Sequence, residues 1–389
     1  MRKRVSESSI KCIEVIVLLM VLLVPLNGRA QSSGDTGSGT NVTQFMRGVE
    51  MSGNWFISFR DGYEQIQADD ENIPDEYIHS SEFILKRSYF TLKKKLNDTY
   101  SVRYTQDLTV DREGGDAGNV ETRLKYLYVK AQPEINSEII TGFWTEVGMV
   151  HRPWLDYEQK INSYRVQDNM AIERARLFNS ADFGVVIGGN IGPAMDREFL
   201  SKVNASMPGK YFTYVIGIYN GGGYSGAETN TNKVIAGRIS VRPLAESVPE
   251  IQLSTYVNFG KGNSAASPDF NQWLGFIAYT GKHLTFTSQV HSGVGDFRAQ
   301  YVDINDPSKA LKNSGYSFFS EYKIPKTQFA VWGRYDHFEL ENKADDTLRW
   351  IGGLSYRINT NLRIVANTEH TYINDDIEDV YEINLEISF

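Results

Sequence analysis

Cysteine is all but missing: Cys12 is the single one among 389 residues, and it precedes the only long apolar run, 13–26 (IEVIVLLMVLLVPL). A helix needs about 20 apolar residues to cross a bilayer, so a bundle of transmembrane helices is excluded. Basic residues are also in deficit, 40 against 48 acidic, for a net charge of −8. A nucleic-acid-binding chain wants a basic face, and no such partner is expected. Six scattered histidines and no G-x-S-x-G, H-E-x-x-H or phosphate loop leave no catalytic constellation, no metal site and no cofactor to propose. His283 and His291 share one strand face but stand about 26 Å apart at ~3.3 Å per residue. Asp336 and His337 point to opposite faces.

The first 30 residues carry an export pattern: Arg2, Lys3, Arg4 and Lys11, then the apolar run, then Gly28-Arg29-Ala30 with small residues at −3 and −1. Cleavage before Gln31 removes Cys12, five basic residues (those four and Arg29) and two acidic ones (Glu7, Glu14), taking the charge from −8 to −11. The mature chain then has neither disulfides nor thiolate chemistry. Residues 31–49 begin with the polar stretch QSSGDTGSGTNVTQ, too poor in apolar side chains to pack.

From residue 50 to 389 the composition is that of one domain of many strands. YEINLEISF sets Tyr381, Ile383, Leu385, Ile387 and Phe389 against Glu382, Asn384, Glu386 and Ser388. IQLSTYVNF, KVIAGRISVR and HLTFTSQVHS alternate in the same way, so each segment wants oil on one face and water on the other. Such segments predict sixteen strands, at 51–60, 82–96, 99–110, 120–131, 138–150, 182–191, 210–219, 232–244, 250–260, 269–280, 283–294, 313–323, 327–340, 346–358, 361–373 and 378–389. Tight connections alternate with longer ones such as 61–81, 151–181 and 295–312, and only 192–209 breaks the rule. An even number of antiparallel strands with short turns at one end and long loops at the other predicts an all-β, 16-stranded transmembrane barrel with short periplasmic turns and long extracellular loops. The 22 Tyr and 20 Phe would supply aromatic girdles at the lipid interfaces.

The stretches FILKRSYFTLKKKLNDTYSVRYTQDLTVD, WTEVGMVHRPWLDYE, IERARLFNSADFGVVIGGNIG, YVIGIYNGGGYSGAETNTNKVIAGRISVRPL and WIGGLSYRINTNLRIVANTEH, in that order, resemble the phosphate-selective porin O and P family of Gram-negative outer membranes. The resemblance covers most of residues 80–389. It implies a homotrimer of sixteen-stranded barrels in outer-membrane lipid, passing small hydrophilic solutes, in some members phosphate or other anions through Arg and Lys. It also implies that the third long loop folds inward.

On the alternation, Arg238 and Arg242 share one water-facing face, about 13 Å apart at ~3.3 Å per residue. Arg103, Arg349, Arg357 and Arg363 are placed inside by the same argument. These arginines either line the pore or pair with Glu146, Glu369, Glu382 and Glu386 to brace the wall. The third long loop, 151–181, offers Arg152, Arg165, Arg174 and Arg176 for a constriction, with Arg174 or Arg176 facing it. The face carrying Lys86 and Arg87 is not legible. A passive channel is the reading; a barrel acting as an adhesin through its long loops, or a barrel hydrolase, are the alternatives left open.

Overall fold

The computed structural model describes residues 48–66, 76–110, 118–343, 346–374 and 376–389. The export segment and almost all of the polar leader lie outside the described residues. Eleven strands come first: β1 (Val49–Ile66), β2 (Glu76–Lys95), β3 (Tyr100–Val110), β4 (Val120–Ala131), β5 (Ile140–His151), β6 (Ala181–Ile191), β7 (Phe212–Tyr219), β8 (Val234–Val241), β9 (Ile251–Phe259), β10 (Asn271–Thr280) and β11 (Leu284–Val294). A small hairpin, β12 (Val302–Asp303) and β13 (Asp306–Ala310), stands apart. Then follow β14 (Lys312–Lys323), β15 (Phe329–Leu340), β16 (Asp346–Arg357), β17 (Leu362–Ile373) and β18 (Asp376–Ser388). All but the hairpin form one closed barrel of sixteen strands in which β1 pairs antiparallel with β18.

Closure rests on the last residues. The Phe389 N–H donates to the Gly53 carbonyl at 3.0 Å, and the Gly53 N–H returns a bond of 2.8 Å. The Phe389 ring packs edge-on against Trp55 and lies over the Cα of Gly53, so a side chain at 53 would collide with it. A closed ring leaves no strand edge unpaired, the condition for a sheet in hydrocarbon.

The two-residue alternation is realised as read. Ile235, Ile239, Leu253, Phe286, Val290, Tyr381 and Ile383 are exposed on the outer wall. Their neighbours Arg238, Gln252, Ser254, Gln289, Glu382 and Asn384 are buried inside. Outer aromatic rings cluster across β14, β15 and β16, where Tyr335 meets Trp350 at 4.2 Å and Tyr316 at 5.8 Å. Among the described residues no helix is long and apolar enough to cross a membrane.

Three connections differ from expectation. The segment expected as a loop at 61–81 is mostly strand, since β1 runs to Ile66 and β2 starts at Glu76. The 295–312 connection contains the β12–β13 hairpin. The rule-breaking 192–209 contains a short helix, Arg197–Lys202.

Candidate functional site: a crossed lumen with one open side

The interior is organised by residues 152–180, which leave β5 at His151 and rejoin the wall at Ala181. Two short helices shape them, α1 (Leu155–Gln159) and α2 (Ala171–Arg174). Trp154, Leu155, Tyr157, Met170, Ile172, Leu177 and Phe178 are all buried. They pack on inward side chains of β9 and β10: Trp154 meets Phe276 edge-on at 5.4 Å, and Phe178 lies 5.0 Å from Tyr256. Burying such a side chain is worth about 1.5–3 kcal/mol, so apolar contact on this side of the barrel draws the segment inward.

The rest of the segment reaches across to the opposite wall. Tyr164 stacks on Trp332 at 4.4 Å, and its hydroxyl donates to Glu321 at 2.8 Å while Ser355 lies 2.9 Å away. Arg363 donates to the Ser163 carbonyl at 2.6 Å, Lys86 to the Gln167 carbonyl at 2.5 Å and Arg334 to the Asn169 carbonyl at 3.1 Å. Gln167 donates to Glu369 at 2.6 Å, and Arg174 grips the same carboxylate with both terminal nitrogens. The segment is therefore fastened to β2, β14, β15, β16 and β17 as well as to its own side of the barrel.

A second segment folds inward from the short-turn end. In 192–209, Asp196 caps helix α3 (Arg197–Lys202) by accepting from the Phe199 N–H, while Asn204, Ser206 and Met207 are buried. Arg242 ties this segment to the β8–β9 connection, donating to the carbonyls of Gly209 and Met207 (2.9 Å) in the one and of Pro249 (3.0 Å) in the other. Ser206 donates to Gln252, which also accepts from the Tyr157 hydroxyl, so the two inward segments meet at β9.

A cavity of about 850 Å³ lies between the crossing segment and the wall of β1–β4 and β16–β18. Its basic residues are Arg60, Lys86, Arg87, Arg123, Arg165, Arg174, Arg176, Arg298 and Arg349, nine against the six carboxylates Glu121, Asp168, Glu173, Glu369, Glu378 and Glu382. Many are paired: Lys86 with Glu382 at 2.6 Å, Arg123 with Asp107 at 3.0 Å, Arg349 with Glu369 at 2.9 Å and Arg60 with Glu378 at 2.5 Å. Arg165 is buried with its Nε and one terminal nitrogen unbonded, and its nearest carboxylate, Glu173, is 3.8 Å away. Burial pushes the Asp168 carboxyl up, but Arg174, Lys86 and Arg165 outweigh it and hold it well below the usual range. The crossing segment also hides Glu158, whose carboxyl burial raises to about 8 and which accepts from the Trp154 indole at 3.0 Å.

Of the ten arginines singled out from the sequence, Arg165, Arg174, Arg176 and Arg349 border the cavity. Arg176 is exposed, with φ 53°. Arg103 is inside but away from the cavity, its guanidinium 4.5 Å over the Tyr126 ring. Arg357 is exposed at the short-turn end of β16. The remaining four do not border this cavity. Arg152 is wholly buried and paired with Asp182 at 2.7 Å, because its stem lies among the rings of the packed side. Arg238 donates to the Pro153 carbonyl at 2.8 Å under the ring of Tyr157. Arg242 holds three carbonyls, and Arg363 is held by Glu386 and Ser163. Those guanidiniums fasten inward segments to the wall.

Sequence reasoning missed Arg60, Arg123 and Arg298. Arg60 was legible, since it continues the inward series Phe56, Ser58. Lys86 and Arg87 were not, because consecutive residues both reach inward, one to Gln167 and the other to Asn169, against strict alternation. Arg298 enters from a loop and had no periodic signal.

No family model matches the chain, and no curated protein matches its sequence. Solved structures do resemble it. An anion-selective porin from Comamonas acidovorans superposes with a TM-score of 0.57 at 9% identity, covering 88% of this chain and 100% of that one. Salmonella typhi OmpF, in complex with daunomycin, gives 0.53 at 10% identity, covering 88% and 97%. In-vitro folded OmpT, an outer membrane protein of Vibrio cholerae in its trimer form, gives 0.50 at 9% identity, covering 88% and 99%. At these identities the likeness establishes the fold, a porin-type sixteen-stranded barrel.

Proposed function

We propose that the chain is an outer-membrane channel of a Gram-negative bacterium, passing small hydrophilic solutes by passive diffusion with a preference for anions, and catalysing no reaction. The observation that carries this is the cavity itself: nine basic groups face six acidic ones there, in a chain whose net charge is −8. In a narrow aqueous space with low-dielectric walls, the local excess of one sign sets which ions concentrate. The fold likeness to an anion-selective porin supports the same reading. Phosphate as a preferred solute, and assembly as a homotrimer in outer-membrane lipid after cleavage of residues 1–30, follow from the family resemblance and belong to this proposal.

The test is planar-bilayer recording of the purified protein. Stable conductance steps are expected, with a reversal potential in a salt gradient whose sign indicates anion selectivity, and phosphate should compete with chloride. A protein that inserts without conducting would leave the surface-binding reading instead.

A further inference from the structure

His151 stands where the wall ends and the crossing segment begins, and its backbone carbonyl accepts from the Tyr219 hydroxyl at 2.9 Å. Its ring lies between groups of opposite demand. Nδ1 is 3.1 Å from Glu146 Oε2, and Nε2 is 3.1 Å from the Arg103 guanidinium. A guanidinium only donates, so Nε2 must accept, and Nδ1–H donates to Glu146. That arrangement requires a neutral imidazole. A second partner waits beside the same nitrogen: Asp156 Oδ1, on α1, is 3.8 Å from Nε2.

Protonation reverses the logic at Nε2. The nitrogen then carries a hydrogen, can no longer accept from Arg103, and repels it at a distance where a like-charge contact is costly. The same hydrogen has an acceptor in Asp156. The charged and titratable groups around the ring are Arg103 on β3, Lys130, Tyr126 and Tyr128 on β4, Glu146 on β5, and Asp156 and Lys160 on the crossing segment. Burial pushes the Asp156 carboxyl up, but neighbouring cations, Lys160 foremost and Arg103 with it, hold it well below the ordinary range, so it is an ionised acceptor.

We propose that His151 is an acid-sensitive latch at the root of the crossing segment: neutral, it holds Arg103; protonated, it releases Arg103 and clasps Asp156, shifting α1. Because α1 also carries Tyr157, stacked under Arg238 at 4.0 Å and bonded to Ser254 at 2.7 Å, the change is transmitted along the segment that shapes the cavity. The consequence for conduction rests on the channel reading above; the shift of α1 does not.

Two measurements on the purified full-length barrel test it between about pH 8 and pH 5, where imidazoles titrate. Hydrogen exchange of 152–160, corrected for the intrinsic pH dependence of exchange, should change in the wild type, and that change should be lost in part in H151Q, whose amide supplies one donor and one acceptor without titrating. Glu158 titrates in the same interval, so its share survives in H151Q and the latch is the difference between the two proteins. D156N, which removes the alternative partner, should by itself give a smaller pH-dependent change than the wild type, a comparison that stands even if H151Q folds poorly. Identical responses in wild type and both variants overturn the latch. Channel conductance recorded over the same interval should follow the exchange result. Absence of conductance at every pH would sink the channel reading, while the exchange data still decide the latch.

Discussion

The two sides of the barrel interior are built oppositely. Along β9 and β10 the inward side chains include Tyr256, Leu274 and Phe276, and the crossing segment lays Trp154, Tyr157 and Phe178 on them in one buried apolar cluster. Along β1–β4 and β16–β18 the inward groups are largely charged, and the same segment is held off by hydrogen bonds to Lys86, Arg87 and Glu369, leaving the 850 Å³ cavity. One segment thus makes an apolar interface on one flank and a polar one on the other. Apolar contact fixes where it sits, and paired charge fixes how near it approaches the far wall. Inward-facing is therefore not the same as pore-lining in this barrel.

The comparison breaks most directly at its apolar anchor. Trp154→Ala should cost the segment about 3–5 kcal/mol, free it from β10 and enlarge the conductance, read by single-channel recording and by proteolysis within 152–180. Retention of the wild-type conductance would mean that the polar ties alone hold the segment. Next comes Arg242→Ala, which removes charge-assisted bonds each worth about 1.5–3 kcal/mol. Thermal melting should fall while the reversal potential stays unchanged, because this guanidinium is spent on the carbonyls of Met207, Gly209 and Pro249.

A third effect separates the two sides by pH. Burial raises the Glu158 carboxyl from 4.5 to about 8. Between those values the folded state keeps a proton that the unfolded chain has lost, so stability is fully present below about 4.5 and declines by about 1.4 kcal/mol per pH unit until about 8. Glu158→Gln should flatten that slope in denaturation measured from pH 4 to 9. The smallest effect on stability, and the one that addresses the open side, is Arg176→Ala. With an exposed side chain on the cavity, its loss should leave melting within about 0.5 kcal/mol and move the reversal potential toward cations. An unmoved potential would take Arg176 out of the permeation path.

The strands were legible because a sheet with one wet and one oily face writes that difference into every second residue, as in Tyr381 to Phe389. Where both faces are apolar the signal fades. β10 places Trp273 and Ile277 outward and Leu274 and Phe276 inward, and no period reveals that its inner face is a docking surface. Helix α3 and the inward fold of 192–209 were equally silent, since the segment is held by partners far away in sequence, Arg242 and Gln252 among them. For the site, Arg165, Arg174, Arg176 and Arg349 were picked out as candidates. Bracing was one of two readings open for Arg238, Arg242 and Arg363, and Arg363 does pair with Glu386; that Arg238 and Arg242 would hold backbone carbonyls was not readable, because a guanidinium's partner is set by what lies opposite it in space.

The sequence by itself determined the number of strands and, on most of them, which side chains face outward, because a two-residue period is a local property that each segment carries alone. Tertiary structure alone decided which half of the interior is filled, which cations border open space and which are locked to carbonyls. Those outcomes depend on segments 152–180 and 192–209 meeting walls dozens to hundreds of residues away, where burial and charge pairing are settled only when the barrel brings them together.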